Sequence, residues 1–101
     1  MPRRAHAPIH PGEILSSEFL EPHALTASRV ARDLSVSARL VREILRCAKP
    51  VSAEVALRLA RYFGTSDEFW MNLQMRYDLE MERERLGKRL AKEVAVLEPA
   101  M

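Results

Sequence analysis

Apolar residues recur along this chain at helical spacing. Ile14, Leu15, Phe19 and Leu20 mark a first segment, and Val30, Ala31 and Leu34 a second. Val41 and Ile44, with Leu40 or Leu45, mark a third. Val55, Leu57, Leu59, Ala60 and Phe63 follow, then Phe69, Trp70, Leu73 and Tyr77. No window alternates apolar and polar residues as a half-buried strand does. The punctuation agrees with this division. Pro11-Gly12-Glu13 opens the first helix and Pro22 stops it near Glu21. Thr26 is a good N-cap for the second, Ser37 for the third and Ser52 for the fourth. Pro50 rules out continuation of the third helix, Gly64 closes the fourth, and Ser66-Asp67-Glu68 caps the fifth. The pattern predicts an all-α fold: a flexible N-terminus over residues 1–9, a compact five-helix domain over 10–78 and a charged amphipathic helical tail over 79–101. In the tail Leu86, Leu90, Val94 and Leu97 fall on one helical face, and Glu84 and Lys88 stand at ion-pair spacing. Gly87 weakens that stretch by about 1 kcal/mol relative to Ala. Two readings of the tail stand: a continuation of helix five packed on its own domain, or a docking helix for a partner or a second copy.

Composition narrows the class. With 101 residues, 48% of them hydrophobic and 30% charged, the chain suits one globular domain with a real core. The single cysteine, Cys47, excludes an intramolecular disulfide. With no signal peptide and no long apolar run, the chain reads as cytoplasmic, with no membrane partner. Net charge is only +2, but it is unevenly placed: −3 over residues 13–25, +4 over 26–50 and −2 over 66–98. A basic centre between acidic flanks points to a polyanionic partner.

The basic centre coincides with a tight helix pair. Helices over Thr26–Leu34 and Ser37–Arg46, joined by Ser35 and Val36, match a helix-turn-helix. If Val41, Ile44 and Leu45 face inward, Ala38, Arg39, Arg42 and Arg46 share the opposite side. The three arginines then form one ridge at i, i+3 and i+7. An arginine fork matches the O6 and N7 acceptors of guanine. Arg39 and Arg42 are therefore the candidates for base readout, with Ser37 and Ala38 at the tip of the helix. Arg46 and Lys49, further along, suit phosphate, as do Thr26, Arg29 and Arg32 of the preceding helix. The competing reading is a solvated arginine face on an ordinary bundle, and spacing alone does not separate the two.

Other chemistry is sparse. His6, His10 and His23 have no metal-ligand spacing with one another or with Cys47, and His10 suits a helix-entry cap. Cys47, near Arg46 and Lys49, is either a thiol activated by the cations or a spectator. Phe69 and Trp70 suit a lid over helices one and four, and Trp70 alternatively a dimer interface. No phosphate loop, nucleophile elbow or paired-carboxylate site is present, so neither an enzyme nor a cofactor or metal is expected.

Several stretches resemble HigA-type antitoxins of the XRE (Cro/C1-type, lambda-repressor-like) helix-turn-helix group. They are His10-Pro11-Gly12-Glu13-Ile14-Leu15, Glu18-Phe19-Leu20, the run from Ala56 to Ser66, Glu68 to Gln74, and Tyr77-Asp78-Leu79. The resemblance covers about residues 9–79. It implies a homodimer that binds operator DNA, represses its own operon, and neutralises a RelE-like, mRNA-cleaving HigB toxin. Any partner or dimer surface would then fall to Trp70, Leu86, Leu90 and Val94. The chain departs from the family pattern at Ala27, where Gln is usual, at Ser35, where Gly is common, and at Cys47. The change at Cys47 implies either that a positive φ is not needed there or that the loop takes another path. These departures keep open an interaction-only antitoxin or adaptor with little specific DNA binding, and a stand-alone regulator with no toxin.

Overall fold

A computed structural model describes residues 7–98, which form helices and no strand. Helix α1 (Pro11–Ile14) passes directly into a π-helical segment (Leu15–Leu20). It is followed by α2 (Ala27–Leu34), α3 (Ala38–Leu45), α4 (Ala53–Phe63), α5 (Asp67–Leu86) and α6 (Arg89–Glu93). Of the N-terminal stretch expected to be flexible, residues 1–6 lie outside the described residues.

The π-helical turns reconcile two buried leucines. Leu15 and Leu20 are 2% and 6% exposed, yet residues five apart sit about 140° apart around an α-helix. The wider turn, in which Glu21 N–H donates to the Ser16 carbonyl at 2.9 Å, brings both onto one side. They meet Val30, Ala31 and Leu34 of α2, Val41 and Ile44 of α3, and Val55, Ala56, Leu59 and Ala60 of α4. Leu57, expected among the apolar positions of α4, points outward, because the α4 stripe runs through residues 55, 56, 59 and 60. Trp70 closes the core. Its ring packs 5.1 Å from Phe19 and 5.0 Å from Phe69, and its Nε1–H donates to Thr65 Oγ1 at 2.8 Å. It is fully buried and offers no surface to a second chain, which removes it as an interface residue.

The first three helices end alike. Ala24, Ser35 and Cys47 each adopt a positive φ, of 52°, 59° and 62°. Each end carries the paired closing bonds of a Schellman turn. After α2, Ser35 N–H donates to the Arg32 carbonyl and Val36 N–H to that of Ala31, at 3.2 and 3.0 Å. After α3, Cys47 N–H reaches Ile44 and Ala48 N–H reaches Glu43, at 2.9 and 2.8 Å. So a positive φ is used at Cys47 despite its side chain. The left-handed conformation costs a non-glycine residue about 1–2 kcal/mol, offset by two backbone hydrogen bonds that would otherwise be unmade.

The start of α1 abuts the end of α3. A Cβ on Gly12 would lie 1.9 Å from the Ile44 carbonyl oxygen, so only glycine fits. His10 caps this junction. Its Nδ1 accepts from Gly12 N–H at 2.8 Å, while its own backbone N–H donates to Glu13 Oε2 at 3.2 Å, completing a capping box. The buried ring also lies beside Lys49 and meets Tyr77 edge-on, with centroids 4.8 Å apart. Burial holds its pKa below the ordinary imidazole value, against the opposing pull of Glu13 and Asp78. Gln74 of α5, also buried, accepts from Val51 N–H at 2.7 Å and donates to Asp78 Oδ1 at 3.0 Å. The loop after α3 is thereby tied to both α1 and α5.

The second half of α5 leaves the domain, with no buried residue beyond Gln74. Gly87, at φ 53° and ψ −127°, ends it, and Val94 is already extended. The continuous apolar face expected through Leu86, Leu90, Val94 and Leu97 is therefore broken, because Gly87 resets the helical register. Nor does the tail pack on its own domain: Leu90 is 50% exposed and Leu97 82%.

Replacing Ser35, which is exposed, by Gly is expected to raise stability by about 1 kcal/mol, read as a rise of about 4–8 °C in Tm. A fall in Tm would contradict the strained-turn reading. His10 gives a second expectation. Its folded-state pKa is depressed, so its contribution to stability is present above about pH 6.5 and is lost as the pH falls from there toward the folded-state value. His10→Asn keeps an N-cap acceptor without a titratable ring. It should therefore show a flatter Tm between pH 7 and 5 than the native chain, by thermal denaturation across that range.

Candidate nucleic-acid interface

The helix pair is held from three sides. Thr26 Oγ1 accepts from Arg29 N–H at 3.0 Å and starts α2. Ser37 Oγ accepts from Leu40 N–H at 3.0 Å and starts α3. The turn between them is the left-handed Ser35 closure, and the Leu34 carbonyl at its edge accepts from Arg58 Nη1 of α4 at 2.8 Å. With Val41 and Ile44 buried, α3 has one possible outward face.

That face carries the expected residues. Ser37, Arg39, Arg42 and Arg46 are exposed, and Ala38 is half-buried at the tip. Arg42 and Arg46 have no ion-pair partner among the described residues, so their forks are available. Arg39 is committed in part: its Nε lies 3.2 Å from Glu43 Oε2, with its side chain still 83% exposed. Lys49 Nζ lies 3.9 Å from the other oxygen, Glu43 Oε1, so the loop cation joins the α3 cluster.

The basic residues of α2 are disposed differently. Arg29 Nε contacts Asp33 Oδ2 at 2.9 Å, and Arg32 Nε lies 3.8 Å from Oδ1. The Tyr62 hydroxyl of α4 donates to the same carboxylate at 2.5 Å. That bond first, and Arg29 second, hold the Asp33 carboxyl below its usual range, while the same bond pushes the Tyr62 hydroxyl up. Arg29 and Arg32 thus share the Asp33 carboxylate with Tyr62 of α4.

Cys47 is not an activated thiol. Burial pushes its pKa up and the Glu13 carboxylate adds to the effect, so the neighbouring cations do not prevail. Sequence reasoning placed Gln74, Tyr62 and Glu43 in segments but assigned them no role. The partners that give the first two their roles lie 23 and 29 residues away, and the i,i+4 spacings of Arg39 with Glu43 and of Gln74 with Asp78 were the readable signals. Among the described residues no group of His, Cys, Asp or Glu could hold a metal ion, and no helix is long and apolar enough to cross a membrane.

No family model matches the chain. Individual proteins do. It is 48% identical over 73 residues to virulence-associated protein I of Dichelobacter nodosus, covering 72% of this chain and 68% of that one. It is 34% identical over 85 residues to antitoxin HigA-1 of Vibrio cholerae, covering 84% and 80%. Its fold matches the solved Pseudomonas aeruginosa antitoxin HigA with higBA promoter, at a TM-score of 0.86 and 47% identity, over 89% of this chain and 98% of that one. With capping box, helix-turn-helix and aromatic lid all in place, the chain belongs to the HigA antitoxins, a non-enzymatic family of helix-turn-helix proteins.

Proposed function

We propose that this protein is an antitoxin that represses its own operon by binding operator DNA through α3, and that it neutralises a RelE-like toxin encoded beside it. One observation carries the DNA reading: a rigidly seated α3 whose outward face is the Arg39–Arg42–Arg46 ridge, on the fold of a HigA solved with its promoter. Arg42 and Arg39, beside Ser37 and Ala38, are assigned to base edges. Arg46, Lys49, Thr26, Arg29 and Arg32 are assigned to phosphates, the last two after release from Asp33. The toxin reading rests on family membership.

Palindromic operators call for two copies, with recognition helices about 34–36 Å apart. We assign the dimer contact to α5, where Met71, Met75 and Leu79 recur every four residues and are 38%, 54% and 45% exposed. This ridge was not among the sequence candidates. Beyond Gly87 the tail offers a separate apolar surface, Leu90 and Val94, that with half-buried Leu86 is available to a partner.

Arg42→Ala should lower affinity for the gene's own promoter by about 10-fold or more, the value of a base-specific fork. It should leave random-sequence binding nearly unchanged. Lys49→Ala should weaken both and reduce the salt slope by about 0.9. Equal losses on both DNAs for Arg42→Ala in gel shifts would remove it from base readout. Met75→Glu is expected to convert dimer to monomer in sedimentation. For the toxin, co-expression with the adjacent short basic reading frame should yield a complex that co-purifies. A promoter-binding protein that captures no neighbour would instead be a stand-alone regulator.

A further inference from the structure

Glu43 is the one acid within α3, the helix that reads DNA in the reading above, and repulsion from phosphate makes that position costly unless the carboxylate has work to do. Its geometry indicates the work. The side chain is only 16% exposed and each oxygen faces a different cation: Oε2 the Arg39 Nε at 3.2 Å, Oε1 the Lys49 Nζ at 3.9 Å. The first sits at the tip of α3 and the second in the loop beyond its end, so one carboxylate spans both ends of the basic cluster. The loop end is itself fixed, because Val51 N–H, two residues beyond Lys49, donates to the buried Gln74 Oε1 at 2.7 Å. Arg42 and Arg46, on either side of Glu43 in sequence, have no such partner among the described residues.

We propose that Glu43 is a positioning residue for DNA reading, one that sets the ratio of specific to non-specific binding. It acts in two ways. Held at Nε, the Arg39 guanidinium keeps its Nη groups free and loses rotational freedom, which favours a directed fork over a roaming charge. Held by the same carboxylate, Arg39 and Lys49 must give up an existing partner before either can neutralise a phosphate. Attraction to arbitrary DNA is thereby damped more than base-edge contact. The inference rests on the DNA-binding reading and deepens it.

The test uses the full chain in fluorescence-anisotropy titrations on two duplexes, the gene's own promoter and a scramble of equal composition, at 50 and 200 mM salt. Glu43→Gln preserves shape and removes the charge. It should bind the scramble about 3–10-fold more tightly at the lower salt, with a salt slope steeper by about 0.9 for each freed cation. Promoter affinity should rise less, so that the specificity ratio falls. In an Arg39→Ala, Lys49→Ala background the same substitution should change scramble binding by less than about 2-fold, because the residues through which it acts are gone. An unchanged ratio and slope in Glu43→Gln, with the native protein preferring its promoter, overturns the role. So does an effect that persists undiminished in the double-variant background, which would mark Glu43 as general repulsive charge. A native protein with no promoter preference overturns the DNA reading itself, and is told apart because it shows in the unmodified chain. Should Glu43→Gln fail to fold, Glu43→Asp keeps the charge but loses the reach to both cations. It should shift the ratio in the same direction, and no shift counts against the proposal.

Discussion

The structure depends on a contact in which one partner has no side chain. Gly12 lies so near the Ile44 carbonyl that a Cβ would approach within 1.9 Å. The first turn of α1, rich in unsatisfied N–H groups, is thereby set against the last turn of α3, where carbonyls are in excess. The alignment of opposite partial charges favours that meeting. His10 then covers the junction, supplying the acceptor that Gly12 N–H needs and packing its ring edge-on against Tyr77 of α5. Because α1 is pressed on α3 at its end, α3 cannot rotate without breaking the cap. Its arginine ridge therefore has a fixed aim.

The turns impose the second constraint. Three successive helices end in Schellman closures on non-glycine residues, Ala24, Ser35 and Cys47. A short left-handed closure reverses the chain within a few residues, which a helix-turn-helix needs. The local strain persists because each turn satisfies two backbone carbonyls, and the first two lead straight into half-buried Leu25 and Val36. At Cys47 the geometry required of the loop prevails over the preference of the side chain.

Electrostatics then sort the arginines. Both acids of the basic centre are engaged by its own cations: Asp33 with Arg29, Arg32 and Tyr62, Glu43 with Arg39 and Lys49. What remains without a partner among the described residues is Arg42 and Arg46. A small net charge is thus compatible with a strongly directional basic face, since the pairing is local and the surplus is concentrated on one helix. Exposed pairs of this kind contribute little to stability, about 0–1 kcal/mol each. Their consequence lies in which charges stay available.

The sequence by itself determined the helices and their order, because caps, prolines and 3.6-residue periodicity are local properties. Thr26, Ser37, Ser52 and Ser66 all cap as their types require, and Val30, Leu34, Val41 and Ile44 are buried as their spacing demands. The ridge on α3 was legible for the same reason, since its inward stripe leaves one outward side. Local reasoning failed where the deciding atoms are distant in the chain. Trp70 read as a core lid or alternatively an interface residue, and packing against Phe19 and Phe63 leaves only the lid, while Leu57 belonged to the core only by residue type. The tail read as one apolar face until Gly87 reset its register, and Cys47 left open whether its loop needs a positive φ or takes another path, which its φ of 62° answers. Tertiary structure alone decided that Gln74 holds the loop after α3 and that Tyr62 of α4 joins the Asp33 carboxylate of α2. Each of these turns on a polar group that must find its partner once buried, or a charge that must find the nearest opposite one. Neither distance is written in local sequence.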